Sequence, residues 1–195
     1  MSKFAVLYSS LHSFIKPLTV ALHERDSHTH SHCDRVVDVS ERLGRQCALT
    51  EDDIELLKIG AAFHDIGKIG IPDNVLLKPG SFDPPEWAVM KTHAEIGERI
   101  VRGIDAEGVD EVANSVRCHH EYFNGGGYPD GLSGEAIPIY ARILSITDSF
   151  DAIVMTRNYH RARSCKETLD ILQQEEGTKH DPFLLRQFFT MIERA

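Results

Sequence analysis

The chain has 195 residues, 42% hydrophobic and 26% charged, a composition that excludes a disordered or collagen-like polymer and suits one globular domain. Its 21 Lys and Arg against 30 Asp and Glu give a net charge of −9, the wrong sign for a sequence-independent grip on duplex nucleic acid. Cys33, Cys47, Cys118 and Cys165 form no CxxC pair, the first residues lack a signal-peptide pattern so that no leader is expected, and no run of about 18 apolar residues could span a bilayer. The expectation is a cytoplasmic protein with reduced thiols and no membrane insertion. The unusual count is eleven histidines.

Helical punctuation dominates from the start. Phe4, Leu7, Leu11, Phe14 and Ile15 recur at helical spacing within an expected helix over 4–23, and a second follows over 30–45. Thr50 reads as an N-cap with Asp53 three residues on, and Ile54, Leu57, Ala61 and Ala62 line one face of the next helix. Lys68 to Pro84 carries Gly70, Pro72, Pro79 and Gly80 and reads as a long, turn-rich loop. Asp83-Pro84-Pro85-Glu86 begins another helix, with an Asp cap, Pro in the first turn and Glu three residues later. Ile96, Ile100 and Val101 continue it, which puts His93 in mid-helix.

Further helices are expected over 107–121, 138–157, 164–175 and 182–194. Between Asn124 and Pro138 seven glycines and prolines exclude any regular element. Alternating strand patterns are missing, so the fold is expected to be all-α, a bundle of about seven to eight helices.

Several residues carry chemistry. His64-Asp65 falls near a helix end, with Lys68 on the same side three residues after the aspartate. His119-His120 precedes the glycine-rich loop, and two neutral imidazoles there can each offer a nitrogen to a metal. His32 lies one turn after His28. Asp148 interrupts the apolar run from Ala141 to Ile153, where burial is costly unless the carboxylate is paired or metal-bound. Mixed His and Asp donors suit Mn, Fe, Zn or Ni. Taken singly, His64-Asp65 reads equally well as a surface pair and the other histidines read more readily as surface or satisfied core residues, while Asp148 within its apolar run weighs most against such readings; spacing does not show convergence.

Five ordered blocks together resemble the HD-GYP family, the HD-superfamily phosphodiesterases of the bacterial second messenger cyclic di-GMP. They are Phe63-His64-Asp65-Ile66-Gly67-Lys68-Ile69-Gly70-Ile71-Pro72, Thr92-His93-Ala94-Glu95-Ile96-Gly97, and His119-His120-Glu121 through Gly127-Tyr128-Pro129. Ile137-Pro138 through Asp148-Ser149-Phe150-Asp151-Ala152, then Gly177-Thr178 with Asp181-Pro182, complete the set. The likeness runs from about Leu22 to Phe189 and implies an HD-GYP domain over 22–195, preceded by a helical extension over 1–21. Simple HD nucleotide phosphohydrolases lack the Gly127-Tyr128-Pro129 block.

The resemblance implies that His32, His64, Asp65, His93, His119, His120 and Asp148 hold two divalent ions, Fe or Mn foremost and Zn, Ni or Mg as further candidates. Asp65 would bridge them, and a hydroxide held between them would open cyclic di-GMP to pGpG. His28 is the candidate ligand for a third ion, which in the family goes with onward cleavage to GMP; the two-ion site is the favoured expectation. Lys68, Arg157, Arg161 and Tyr128 are the implied substrate contacts, with Lys68 neutralising phosphate charge. GGDEF-domain proteins are the partner class expected at the glycine-rich loop, with a homodimer as a further arrangement.

A catalytically weak cyclic di-GMP receptor and a hydrolase of a related cyclic dinucleotide are the alternatives. Departures from the family pattern are Asn124 in place of Asp, Tyr122 and Phe123 in place of Arg and an aromatic, and His160 where Lys or Arg is common. Asn124 keeps an acceptor oxygen without charge, so a turn-capping role is expected to survive.

Overall fold

The computed structural model describes residues 14, 17–22, 24–25, 29–155 and 165–194. Among them α1 spans Thr29–Gln46, α2 Glu51–Phe63, α3 Asp73–Leu76, α4 Pro84–Lys91 and α5 His93–Arg102. Then come α6 (Val109–Cys118), α7 (Ile139–Met155), α8 (Cys165–Gln174) and α9 (Pro182–Glu193), with 3-10 turns at Ile66–Gly70 and Gly134–Ala136. No strand occurs among the described residues, only the isolated bridges Asn124–Ser133 and Glu176–His180. The all-α expectation holds. No helix among the described residues is long and apolar enough to cross a membrane.

Helix α2 is the central element. It starts where expected because Thr50 and Asp53 form a capping box, each side chain accepting the other's backbone N–H. Asp53 also accepts a 2.6 Å bond from the Tyr140 hydroxyl, tying this start to α7. Ile54, Leu56, Leu57, Ile59, Ala61 and Phe63 are buried, so the helix is covered on nearly all sides. It packs on α1, α6 and α7. Each large side chain among these contributes about 1.5–3 kcal/mol by leaving water.

At His64 the α-helix stops and the chain tightens into the 3-10 turn. That turn lies hard against α5: a Cβ on Gly67 would sit 1.8 Å from the His93 carbonyl oxygen, so only glycine permits the approach. Arg25 clasps the exit of the turn, donating to the Ile69 carbonyl, to the Ile71 carbonyl at 3.0 Å and to Asp73.

Two local expectations change. The segment from Asp83 is two helices, broken at Thr92, so His93 is the first residue of α5 and not mid-helix. The Thr92 hydroxyl donates to the Val89 carbonyl at 2.7 Å and its N–H to the same oxygen at 3.0 Å, a side-chain bond that competes with helix continuation. The Lys68–Pro84 segment is more ordered than a loop, since it holds the end of the 3-10 turn and the one-turn helix α3. Buried Val75 pays its way there, meeting Ile71 and Met90 in a small core to which Phe82, Leu76 and Ile96 add. Nine helices are bounded among the described residues, and residues 17–22, within the helix expected over 4–23, are helical as well.

The glycine-rich loop is pinned by backbone bonds. Phe123 and Asn124 donate to Lys179 and Thr178 at 3.1 and 3.0 Å, and Gly134 donates to Phe123 at 2.8 Å. Arg117 forks onto Asp130 at 2.7 and 2.8 Å and reaches Glu98 at 2.6 Å. Gly127 is the tight point: a Cβ there would meet the Tyr122 nitrogen at 2.2 Å and the His120 carbonyl oxygen at 2.4 Å. The loop's conformation therefore depends on the backbone that carries His120.

Candidate metal centre

All seven residues expected as ligands converge, although they come from five parts of the chain. His32 comes from α1, His64 from the end of α2, and Asp65 from the head of the 3-10 turn. His93 opens α5, His119 and His120 follow α6, and Asp148 comes from α7. Two triads result: His32, His64 and Asp148 in one, His93, His119 and His120 in the other. Within each, the donor atoms lie within 4.8 Å of one another. In the first, His32 Nε2 is 3.2 Å from both His64 Nε2 and Asp148 Oδ1. In the second, His93 Nε2 and His119 Nε2 are 3.4 Å apart.

Asp65 lies between the triads. Its Oδ2 is 3.5 Å from His64 Nε2 and 3.9 Å from His32 Nε2, while Oδ1 is 3.8 Å from His93 Nε2. One oxygen thus faces each triad. Lys68 donates to Oδ2 at 2.7 Å, as its spacing predicts.

The histidines are oriented by their other nitrogens. His64, His93 and His119 donate from Nδ1 to the carbonyls of Ala61, Met90 and Val116, at 2.7, 2.8 and 2.6 Å. A carbonyl only accepts, so the proton belongs to Nδ1 and the Nε2 lone pair points inward. His32 donates instead to Asp151 at 2.7 Å, and Arg35 holds that carboxylate with bonds of 2.6 and 2.8 Å.

Burial, reinforced by the neighbouring imidazoles, depresses the pKa of His119 well below the usual histidine value. Burial likewise pushes His120 down to about 3 and lowers His93. Neutral imidazoles are the form that ligates. Burial would raise Asp65, but Lys68, His64 and His93 outweigh it and hold the carboxyl well below the carboxylate range. Asp148 is also lowered: burial opposes ionisation, and the bond from His32 and the charge of nearby imidazoles overcome it. Around His32 burial is outweighed by Asp148 and Asp151, and the pKa rises to about 9. Carboxylates around that ring thus favour positive charge. Ionised carboxylates with inward-facing imidazole nitrogens fit a divalent ion of the Fe, Mn, Zn or Ni type.

Tyr128 stands at the rim, its ring centroid 4.9 Å from that of His120. Arg157, Arg161, His28 and His160 lie outside the described residues. The Asx turn expected of Asn124 is present, its Oδ1 accepting from Gly126 N at 2.9 Å. Asp151 and Arg35 were not singled out from sequence as site residues. Their signal is spacing, since Asp151 follows Asp148 by three and Arg35 follows His32 by three, one helical turn in each case.

The sequence profile of the HD domain family matches residues 17–184. Among curated relatives, the cyclic di-GMP phosphodiesterase response regulator RpfG of Xanthomonas campestris pv. campestris is 39% identical over 165 residues, 85% of this chain and 44% of that protein. A cyclic di-GMP phosphodiesterase of Thermotoga maritima is 36% identical over 86% of this chain and 45% of its own length. The 3'3'-cGAMP-specific phosphodiesterase 2 of Vibrio cholerae is 34% identical over 86% of this chain and 32% of its own. The chain spans less than half the length of these relatives. The fold is that of the V. cholerae cyclic GMP-AMP phosphodiesterase V-cGAP3, with TM-score 0.72 at 21% identity over 95% of this chain and 49% of that one. Bd1817 of Bdellovibrio bacteriovorus shares it as well, with TM-score 0.68 at 19% identity over 97% and 63%.

Proposed function

As a member of the HD domain family, and within it an HD-GYP domain, this chain is one for which we propose metal-dependent phosphodiesterase activity that opens cyclic di-GMP to linear pGpG. The observation that carries the reading is the pair of triads with one Asp65 oxygen toward each. A lone imidazole triad would suit a structural ion; two, sharing a carboxylate, suit a two-ion phosphodiester site. In this reading His32, His64 and Asp148 would hold one ion, His93, His119 and His120 would hold the other, and Asp65 would be shared between them. Fe and Mn are the favoured metals, and His28 is the candidate for a third.

When bound, such a pair of ions lowers the pKa of water toward neutrality and draws charge from a phosphoryl oxygen. The chain's own residues do the rest. Nδ1 bonds to backbone carbonyls keep the His64, His93 and His119 donors aimed without rearrangement. Lys68 keeps Asp65 ionised and is placed to neutralise charge on the diester phosphate. Tyr128 walls the side beside His120, and Arg157 and Arg161 are proposed as further substrate contacts on the family resemblance. The exposed tip of the glycine-rich loop, at Asn124, Gly126, Asp130 and Gly131, offers a surface for a GGDEF-domain partner.

The test is chromatography of products after anaerobic loading with Fe(II) or Mn(II) and incubation with cyclic di-GMP. Accumulation of pGpG is expected, and onward conversion to GMP would bring in a third ion. Intact cyclic di-GMP in the presence of stoichiometric metal would overturn the enzyme reading and leave a receptor. The second reading is hydrolysis of 3'3'-cyclic GMP-AMP, favoured by the V. cholerae relatives specific for it, and the same assay with that dinucleotide decides it.

A further inference from the structure

Helix α4 carries the chain's single tryptophan, Trp87, with 45% of its surface exposed. An indole open to water forgoes the burial that normally makes it stabilising, so its surroundings are informative. Trp87 meets Tyr128 edge-on, with centroids 6.2 Å apart at 81°, and Tyr128 in turn lies against His120. On another side Phe82 lies nearly parallel to the indole, 6.1 Å away at 19°. Phe82 is rooted in the small core of Ile71, Val75 and Met90. One turn on, Lys91 shares the Trp87 face and brings Nζ within 5.7 Å of the Tyr128 ring centroid. Met90, between them, supplies the carbonyl that orients His93. The aromatic patch is therefore built rigidly onto the metal centre.

We propose that Trp87, backed by Phe82, is a stacking face for one purine base of the dinucleotide, and that Lys91 selects guanine there. The inference rests on the cyclic dinucleotide reading above. Stacking on an aromatic ring tolerates any base, because every base has a π-face. Discrimination needs an edge contact. Lysine offers donors only. The outer edge of guanine presents N7 and O6, both acceptors, whereas adenine presents N7 and a donating amino group. An ammonium at that edge therefore favours guanine.

Because Trp87 is the chain's one tryptophan, its emission reports the site directly. Stopped-flow fluorescence of the metal-loaded chain is expected to show saturable quenching by cyclic di-GMP within the first turnover, and about tenfold weaker binding of cyclic di-AMP. Trp87→Ala should raise KM for cyclic di-GMP about tenfold, and Trp87→Phe should recover most of that loss. Lys91→Met should erase the preference for guanine over adenine. Circular dichroism checks folding, and a partly exposed indole leaves little cavity when removed.

Unchanged emission at saturating cyclic di-GMP, or an unchanged KM in Trp87→Ala, would overturn the stacking face. Equal affinity of the wild-type chain for the two dinucleotides would overturn the role of Lys91. Product formation is read in the same reactions and separates the two levels of the reading. Quenching without product removes the phosphodiesterase and keeps the base site; product with a silent tryptophan does the reverse.

Discussion

His32 on α1 and Asp151 on α7 meet at 2.7 Å, 119 residues apart in sequence, through the His32 Nδ1. His64, His93 and His119 are instead oriented by a carbonyl three residues earlier in their own chain segment. His32 is thus aimed by tertiary contact, with Arg35 fixing the carboxylate that fixes the ring. Asp151→Ala should weaken metal binding about 10–100-fold, the usual effect of removing a residue that orients a ligand. Competition with a chelator measures it, and an unchanged affinity would remove Asp151 from this role.

Asp65→Ala removes the carboxylate that faces both triads and accepts the 2.7 Å bond from Lys68. Both ions and all phosphodiesterase activity are expected to be lost, while helical content persists. Metal analysis of the purified variant is the check. Full occupancy would refute the bridging role.

Asn124 acts on the backbone, accepting the Gly126 N–H through its amide oxygen. Asn124→Asp retains that acceptor, so metal content and turnover should match the parent chain. Asn124→Ala loses it and should cost about 1 kcal/mol of stability. A rise in turnover with Asn124→Asp would mean that charge at this position matters.

His180 is fully buried between Ser145, 3.2 Å from its Nδ1, and Glu175, 3.0 Å from its Nε2. Burial lowers its pKa, although the bond to Glu175 opposes the shift. Between the folded value and about 6.5 the unfolded chain binds more protons, so acid favours unfolding. This stability is complete above about pH 6.5 and is lost as pH falls through that range. Urea midpoints of metal-loaded protein at neutral and mildly acidic pH should show the loss, with a shallower slope in His180→Gln. Identical slopes would exclude His180 as the source.

Much of this was legible in the amino-acid order. The start of α2 at Thr50 and that of α4 at Asp83 are decided by side chains three residues apart, within one turn. The seven histidines and aspartates that converge were legible as candidates too, through ordered motifs whose residue types suit one chemistry. The break at Thr92 was not, because the apolar spacing through Ile96 and Ile100 is the same for one helix or two; a single hydroxyl bond to Val89 goes with the break.

By itself, then, the sequence determined an all-α fold class, the capped helix starts and the candidate residues of a metal site, because each follows from neighbours within a turn or from a recognisable motif. Only the tertiary structure decided that the donors divide into two triads with Asp65 between them, that Asp151 and Arg35 aim His32, and that Trp87 stands open beside Tyr128. Those relationships join residues on different helices, and their distances are set by how the helices pack around α2, which no local pattern encodes.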